Sequence, residues 1–154
     1  MPDLLAPGTR APDFEAPDQD GRPVRLRDFR GRPVVLYFYP EDETPGCTRE
    51  ACAFRDNLVR FESLGAAVLG VSTQDEASHR AFRDKHGLTF PLLADADKAV
   101  CRAYGAIGLL GLAKRVTYVI APDGTVLGAF RRLDPKSHSA EALRILSNIT
   151  EVVR

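Results

Sequence analysis

Val34-Val35-Leu36-Tyr37-Phe38-Tyr39-Pro40-Glu41-Asp42-Glu43-Thr44-Pro45-Gly46-Cys47 is the stretch on which the reading of this chain turns. Residues 34–39 form an unbroken β-branched, aliphatic and aromatic run, the pattern of a buried central strand. Pro40 stops it. Thr44 is a good helix N-cap, and Pro45 suits the first helical position, where its missing N–H is not needed. Gly46 then falls at N2 and Cys47 at N3, so a buried strand leads directly into a helix whose first turn carries a thiol.

Outward from there, Ala51, Phe54, Leu58 and Phe61 recur at helical steps within residues 44–64. Residues 67–72 (Ala-Val-Leu-Gly-Val-Ser) read as a second buried strand. Asp75 is placed to cap a helix running to His86, with Gly87 suited to its C-terminal turn. After Phe90-Pro91-Leu92-Leu93 comes a short helix at about residues 98–104, which contains Cys101. Residues 116–120 and 125–130 are two strands separated by Ala121-Pro122-Asp123-Gly124, a hairpin signal. A last helix, about residues 137–152, sets Leu143, Leu146, Ile149 and Val153 on one side. Residues 1–32 read as an extended lead-in with a turn at Asp20-Gly21. The order predicts an α/β, thioredoxin-like fold: a central mixed β-sheet with helices on both faces, in one domain over residues 1–154.

The bulk composition excludes several function classes. With 154 residues and 44% hydrophobic content, the chain can bury one sizeable core. Its 21 basic residues balance 21 acidic ones, so no broad field recruits nucleic acid or an anionic membrane. Residues 1–10 lack the charged and apolar regions of a secretory signal, and no apolar run approaches the ~20 residues that span a bilayer. A cytoplasmic protein is expected, monomeric or weakly dimeric. Three cysteines without CxxC or Cys/His zinc spacing make neither a disulfide framework nor a metal site.

At N3, a thiolate gains from the unpaired N–H groups and the positive end of the helix dipole. A free thiol of pKa about 8.5 is only about 3% ionised at pH 7, and making it roughly 90% thiolate takes on the order of 3.4 kcal/mol. The dipole supplies at most ~2 kcal/mol. A hydroxyl donor and a full positive charge are needed as well. Thr44, three residues earlier, can offer the hydroxyl. Arg115, opening the strand 116–120, is the candidate cation, whereas Arg49 lies within the helix and is expected to face solvent. The plainer reading of Cys47 is a small residue filling a first-turn pocket.

Cys52 follows five residues after Cys47. On a regular helix that is ~7.5 Å of rise and a Cα separation of ~8.6 Å, beyond the roughly 4.4–6.8 Å a disulfide spans. If the two sulfurs join, the first turn or two must unwind. That suits two stages: peroxide takes Cys47 to a sulfenic acid, and local unfolding then lets Cys52 attack it. Cys52 reads equally well as a small buried residue beside Ala51 and Phe54. Cys101, on an amphipathic turn, reads as core packing, with an alternative resolving role open if its helix approaches Cys47.

These residues resemble the peroxiredoxins, and most closely the peroxiredoxin Q group, also called bacterioferritin comigratory proteins. The likeness rests on Pro-x-x-x-Thr-x-x-Cys (Pro40, Thr44, Cys47) and on Gly46-Cys47-Thr48-Arg49-Glu50-Ala51-Cys52-Ala53-Phe54-Arg55-Asp56. It continues through Gly70-Val71-Ser72, Ser78-His79-Arg80-Ala81-Phe82, Phe90-Pro91-Leu92-Leu93 and residues 115–120. The resemblance implies that Cys47 is the peroxidatic cysteine and Cys52 the resolving one, bonding within the helix. It implies that Thr44 bonds thiolate and peroxide, that Pro40 shields the sulfur from water, and that Arg115 is the active-site arginine. It further implies hydrogen peroxide and organic hydroperoxides as substrates, thioredoxin or a similar dithiol as reductant, and no metal or organic cofactor.

A thiol–disulfide oxidoreductase acting on protein partners is the alternative the fold permits, against which the missing CxxC argues. His79, His86 and His138 show no metal spacing, and the first two, seven apart on one helix, read as solvated. The apolar residues 109–112 suit an interface or a mobile loop lining the substrate entrance.

Overall fold

A computed structural model describes residues 4–108, 110–131 and 134–153, the side chains of 150–153 excepted. The buried run at 34–38 is β3 (Val34–Phe38), following β1 (Glu15–Pro17) and β2 (Pro23–Arg25) of the lead-in. Every residue of β3 is buried because it is the middle strand of a five-stranded sheet. It pairs in parallel with β4 (Ala67–Ser72), which pairs in parallel with β5 (Leu92–Ala94). On its other side it runs antiparallel to β6 (Val116–Ile120), itself antiparallel to β7 (Val126–Phe130). The mixed sheet is the predicted one.

The period-2 alternation of a strand divides the core into two clusters. Val34, Leu36 and Phe38 point into one, with Val116, Tyr118 and Ile120 of β6. That face is covered by α4 (Ala99–Ala103), the lead-in hairpin and a 3₁₀ turn at Leu26–Phe29. Val35, Tyr37 and Tyr39 point into the other, beneath α1 (Pro45–Asp56), α2 (Leu58–Ser63), α3 (Glu76–His86) and α5 (Ser137–Val153). Phe54 of α1 stacks on Tyr37 with ring centroids 4.4 Å apart, fixing the helix to the sheet. Such a pair contributes about 0.5–1.5 kcal/mol beyond its buried area.

Several local signals act as read. Asp75 caps α3 by accepting the Ser78 N–H at 2.9 Å, and Gly87 closes it in the left-handed region at φ 63°. Residues 121–124 turn β6 into β7. Two readings need correction. The single helix expected over 44–64 breaks at Asn57, whose side-chain amide donates to the Ala53 carbonyl at 3.0 Å and to Ser139 Oγ at 3.1 Å. That amide ends α1 and ties its end to α5. The lead-in is also more than extended chain, since β1 and β2 form an antiparallel pair closed by Asp18, which accepts the N–H groups of Asp20 and Arg22. Of the apolar residues 109–112, Leu109 lies outside the described residues and Leu110 is 90% exposed. The side chain of Val153 also lies outside them.

Gly70 in β4 leaves room for the ring of Tyr37. A Cβ there would sit 2.9 Å from Leu92 Cδ2 and 3.0 Å from the Tyr37 ring and hydroxyl, both fully buried. Gly70→Ala should therefore destabilise by about 1–3 kcal/mol, the usual penalty of overpacking. Thermal unfolding should show a melting temperature at least about 2 °C lower, and an unchanged one would mean that the Tyr37 and Leu92 side chains relax freely.

Candidate active site

Thr44 has extended backbone (φ −76°, ψ 151°), Pro45 is N1, and the Thr48 N–H closes the first turn on the Thr44 carbonyl at 2.9 Å. Cys47 is thus N3 as predicted, 1% exposed, with the unpaired N–H groups of the helix start around it.

Sheet register brings the cation. Phe38 pairs with Val116, so the end of β3 and the start of β6 lie side by side, with Arg115 just before β6. Its Nη2 lies 3.3 Å from Cys47 Sγ, and its Nη1 donates to Glu50 Oε1 at 2.6 Å. Gly46 makes this approach possible. A Cβ at that position would stand 3.1 Å from Arg115 Nη2 and 3.4 Å from Pro135 Cγ. Although burial disfavours the guanidinium charge, Glu50 and then Cys47 hold the arginine above its ordinary range.

Glu50, absent from the sequence reading, is central to this geometry. It lies one turn beyond Cys47 and is fully buried, and burial pushes its carboxyl up to about 8 against the opposing charge and hydrogen bond of Arg115. Its Oε2 faces Nδ1 of the buried His138 on α5 at 3.4 Å, and that nitrogen is 2.7 Å from Thr117 Oγ1. The available signal was a glutamate on the otherwise apolar face of 47, 51 and 54.

The other expected residues fare unevenly. The Thr44 hydroxyl donates to the Glu41 carbonyl at 2.9 Å, not to the sulfur, so its single donor is committed within the loop. Pro40 is half-buried, and its carbonyl accepts from Gln74 Nε2 at 3.2 Å. Arg49 is exposed, as expected of a helix residue facing away. Cys52 is half-buried on the same unbroken helix as Cys47. Cys101 is fully buried in the core cluster on the opposite face of the sheet. The sheet stands between it and Cys47, which removes the condition for its alternative resolving role. Its thiol is pushed up strongly by burial and by the neighbouring Asp95. His79 and His138 are both fully buried, contrary to the solvated reading of His79. Among the described residues no group of three or more His, Cys, Asp or Glu is placed to hold a metal ion, and no helix is long and apolar enough to cross a membrane. A cavity of about 260 Å³ lies at the far end of β3, lined by residues including Arg10, Arg30 and Phe29, away from the sulfur.

The AhpC/TSA family model matches residues 7–129. Peroxiredoxin Q, chloroplastic, of Oryza sativa subsp. japonica is 46% identical over 148 residues, covering 94% of this chain and 68% of that protein. The crystal structure of peroxidoxin BcpB from Mycobacterium tuberculosis superposes with a TM-score of 0.87 at 40% identity, over 93% of this chain and 97% of that one. A bacterioferritin comigratory protein of Xanthomonas campestris, whose structure was solved to explain its alkyl peroxide reduction, gives a TM-score of 0.84 at 35% identity, over 88% and 91%. With a buried, arginine-bonded cysteine at the head of α1 and these likenesses along nearly its whole length, the chain belongs to the AhpC/TSA family, on its peroxiredoxin Q branch, and is a thiol peroxidase.

Proposed function

We propose that Cys47 reduces hydrogen peroxide and organic hydroperoxides and that Cys52 resolves the product within α1. The observation that carries this reading is the Arg115 guanidinium 3.3 Å from a buried sulfur at the third position of a helix. The Cys47 thiolate attacks the near oxygen of the peroxide. An S–O bond forms, the O–O bond breaks, and its electron pair leaves on the distal oxygen, which takes a proton to become water or an alcohol. Cys47 is left as a sulfenic acid, oxidised by two electrons. Arg115 Nη2 and the Cys47 N–H are the donors for the charge that appears on the departing oxygen. Thr44, whose hydroxyl hydrogen goes to the Glu41 carbonyl, is suited to accept the peroxide O–H on its oxygen, and Pro40 to limit water at the sulfur.

The Cys52 thiol then attacks the sulfenic sulfur, expels water and closes the disulfide. At about 8.6 Å between their Cα atoms on an intact helix, the two cysteines meet only once the first turn opens. A thioredoxin-type dithiol reduces the disulfide and is itself oxidised. A cytoplasmic setting, where such dithiols are kept reduced, suits this cycle.

Intact mass spectrometry after one equivalent of peroxide tests the assignment. Wild type and Cys101→Ser should lose two hydrogens as an internal disulfide, whereas Cys52→Ser should stop at the sulfenic acid or beyond. Loss of the bond in Cys101→Ser alone would overturn the pairing. Arg115→Ala should slow Cys47 oxidation by about 10²–10³-fold, the usual cost of removing one such donor. Wild-type rates in that variant would take Arg115 out of the reaction. Glu50 adds a pH signature. Its folded-state value, about 8, exceeds the ordinary 4.5, so its contribution favours folding fully below about pH 4.5 and is lost as pH rises through about 8. Glu50→Gln should flatten the stability profile over that window in denaturant titrations, and an unchanged slope would place the titration elsewhere.

A further inference from the structure

We propose that Asp42 and His79 are a positioning pair for the second half of the reaction: they clasp residues 40–44 to α3 and thereby set how often the first turn of α1 opens for Cys52. The inference rests on the two-stage reading above and assigns a role to residues that take no part in the attack on peroxide.

The loop 40–44 joins β3 to α1 and is stitched to its neighbours by buried polar contacts. Asp42 Oδ2 lies 2.6 Å from His79 Nδ1 and accepts the Ser78 hydroxyl at 2.7 Å, while Oδ1 accepts the Tyr39 hydroxyl at 2.6 Å. His79 Nε2 lies 3.0 Å from the Leu93 carbonyl. Both ring nitrogens are thus engaged, Nδ1 by the carboxylate of the loop and Nε2 by the main chain of β5. Although burial pushes the Asp42 carboxyl up, the bond and charge of His79, and then Tyr39 and Ser78, hold it below its ordinary range. The result is a buried histidine–aspartate pair with both partners held by hydrogen bonds, which is costly to break one-sidedly.

The main chain is held too. The Asp42 N–H donates to Gln74 Oε1 at 3.0 Å, and Gln74 Nε2 returns to the Pro40 carbonyl. Next in the loop, Glu43 adopts φ 67°, a left-handed conformation that a non-glycine residue enters only under constraint. Its carboxylate reaches His86 Nε2 at 2.8 Å and Lys85 Nζ at 3.5 Å, again on α3. A strained segment pinned by a breakable clasp is a two-state element. Resolution proceeds through the open form and attack through the closed one. Raising the open population from about 0.1% to about 1% leaves attack nearly unchanged and speeds resolution about tenfold.

The test follows both steps separately after one equivalent of hydrogen peroxide, with dimedone trapping of the sulfenic acid and acid-quenched mass spectrometry of the disulfide. His79→Gln should form the Cys47–Cys52 disulfide about tenfold faster, with sulfenic acid formation within about twofold of wild type. Should that core variant fail to fold, Ser78→Ala, which removes one bond to Asp42 at the helix surface, should give at least a threefold acceleration with the same split. A disulfide that forms at the wild-type rate, or both steps changing together, overturns the clasp and leaves the Cys47–Cys52 pairing intact. Absence of that disulfide in wild type overturns the pairing itself, and the clasp with it.

Discussion

One half-buried guanidinium shared between a buried sulfur and a buried carboxyl group is the constraint on which the rest of this structure depends. Arg115 spends one nitrogen on Glu50 and another on Cys47. A lysine in its place would offer a single point of charge without the planar fork that reaches both. The fork requires the start of β6 to lie beside the end of β3, which the antiparallel register of Val34–Phe38 against Val116–Ile120 supplies. It requires a helix start with no Cβ in the way, which Gly46 supplies. It also requires Glu50 to tolerate burial, which Arg115 opposes without overcoming, as the raised carboxyl records.

The same helix is asked to satisfy two opposed demands. In the proposed cycle, folded α1 aims its first-turn N–H groups and Cys47 at the incoming oxygen, and opened α1 would let Cys52 approach. A helix start that was merely weak would lose the first function, and one that was rigid would lose the second. The polar stitching of residues 40–44 to α3 answers this with discrete contacts that either hold or release, set against the unfavourable backbone of Glu43. The far end of α1 is anchored by Phe54 stacked on Tyr37 and Asn57 tied to Ser139, contacts that an opening of the first turn alone would not need to break.

How much of this was legible in the sequence depended on whether the cause was local. The run 34–39, the Thr44-Pro45-Gly46 entry, the Asp75 cap, the Gly87 stop and the hairpin at 121–124 each act within a few residues, and each could be read. The Arg115–Cys47 approach was reachable because a strand edge beside the central strand could be guessed from the order of elements. Glu50 was not, since a glutamate on a helix normally seeks solvent and only the fold shows that this one has a half-buried arginine to meet. The Asp42–His79 pair is equally hidden, joining residues 37 positions apart in a sequence where either alone reads as a surface group. The hairpin of β1 and β2 escaped because three-residue strands flanked by proline leave no period to detect. The break at Asn57 escaped because the apolar spacing continues through it; the interruption comes from the contact with α5.

Cys101 shows that helix position alone does not make a reactive thiol. It too is the third residue of its helix, α4, and it too is buried. There the first-turn N–H groups of Val100 and Cys101 are already taken by Asp95, whose two carboxylate oxygens lie 3.1 and 2.8 Å away. The place an anion would occupy at that helix start is filled by an aspartate, and the thiol beside it meets burial and a negative charge together, both of which push it up. At α1, among the described residues, no carboxylate takes the first-turn N–H groups, and an arginine lies on the sulfur. Two cysteines with the same helix register and the same burial thus meet different side chains, and the difference comes down to which one, aspartate or arginine, the fold delivers to the mouth of the helix.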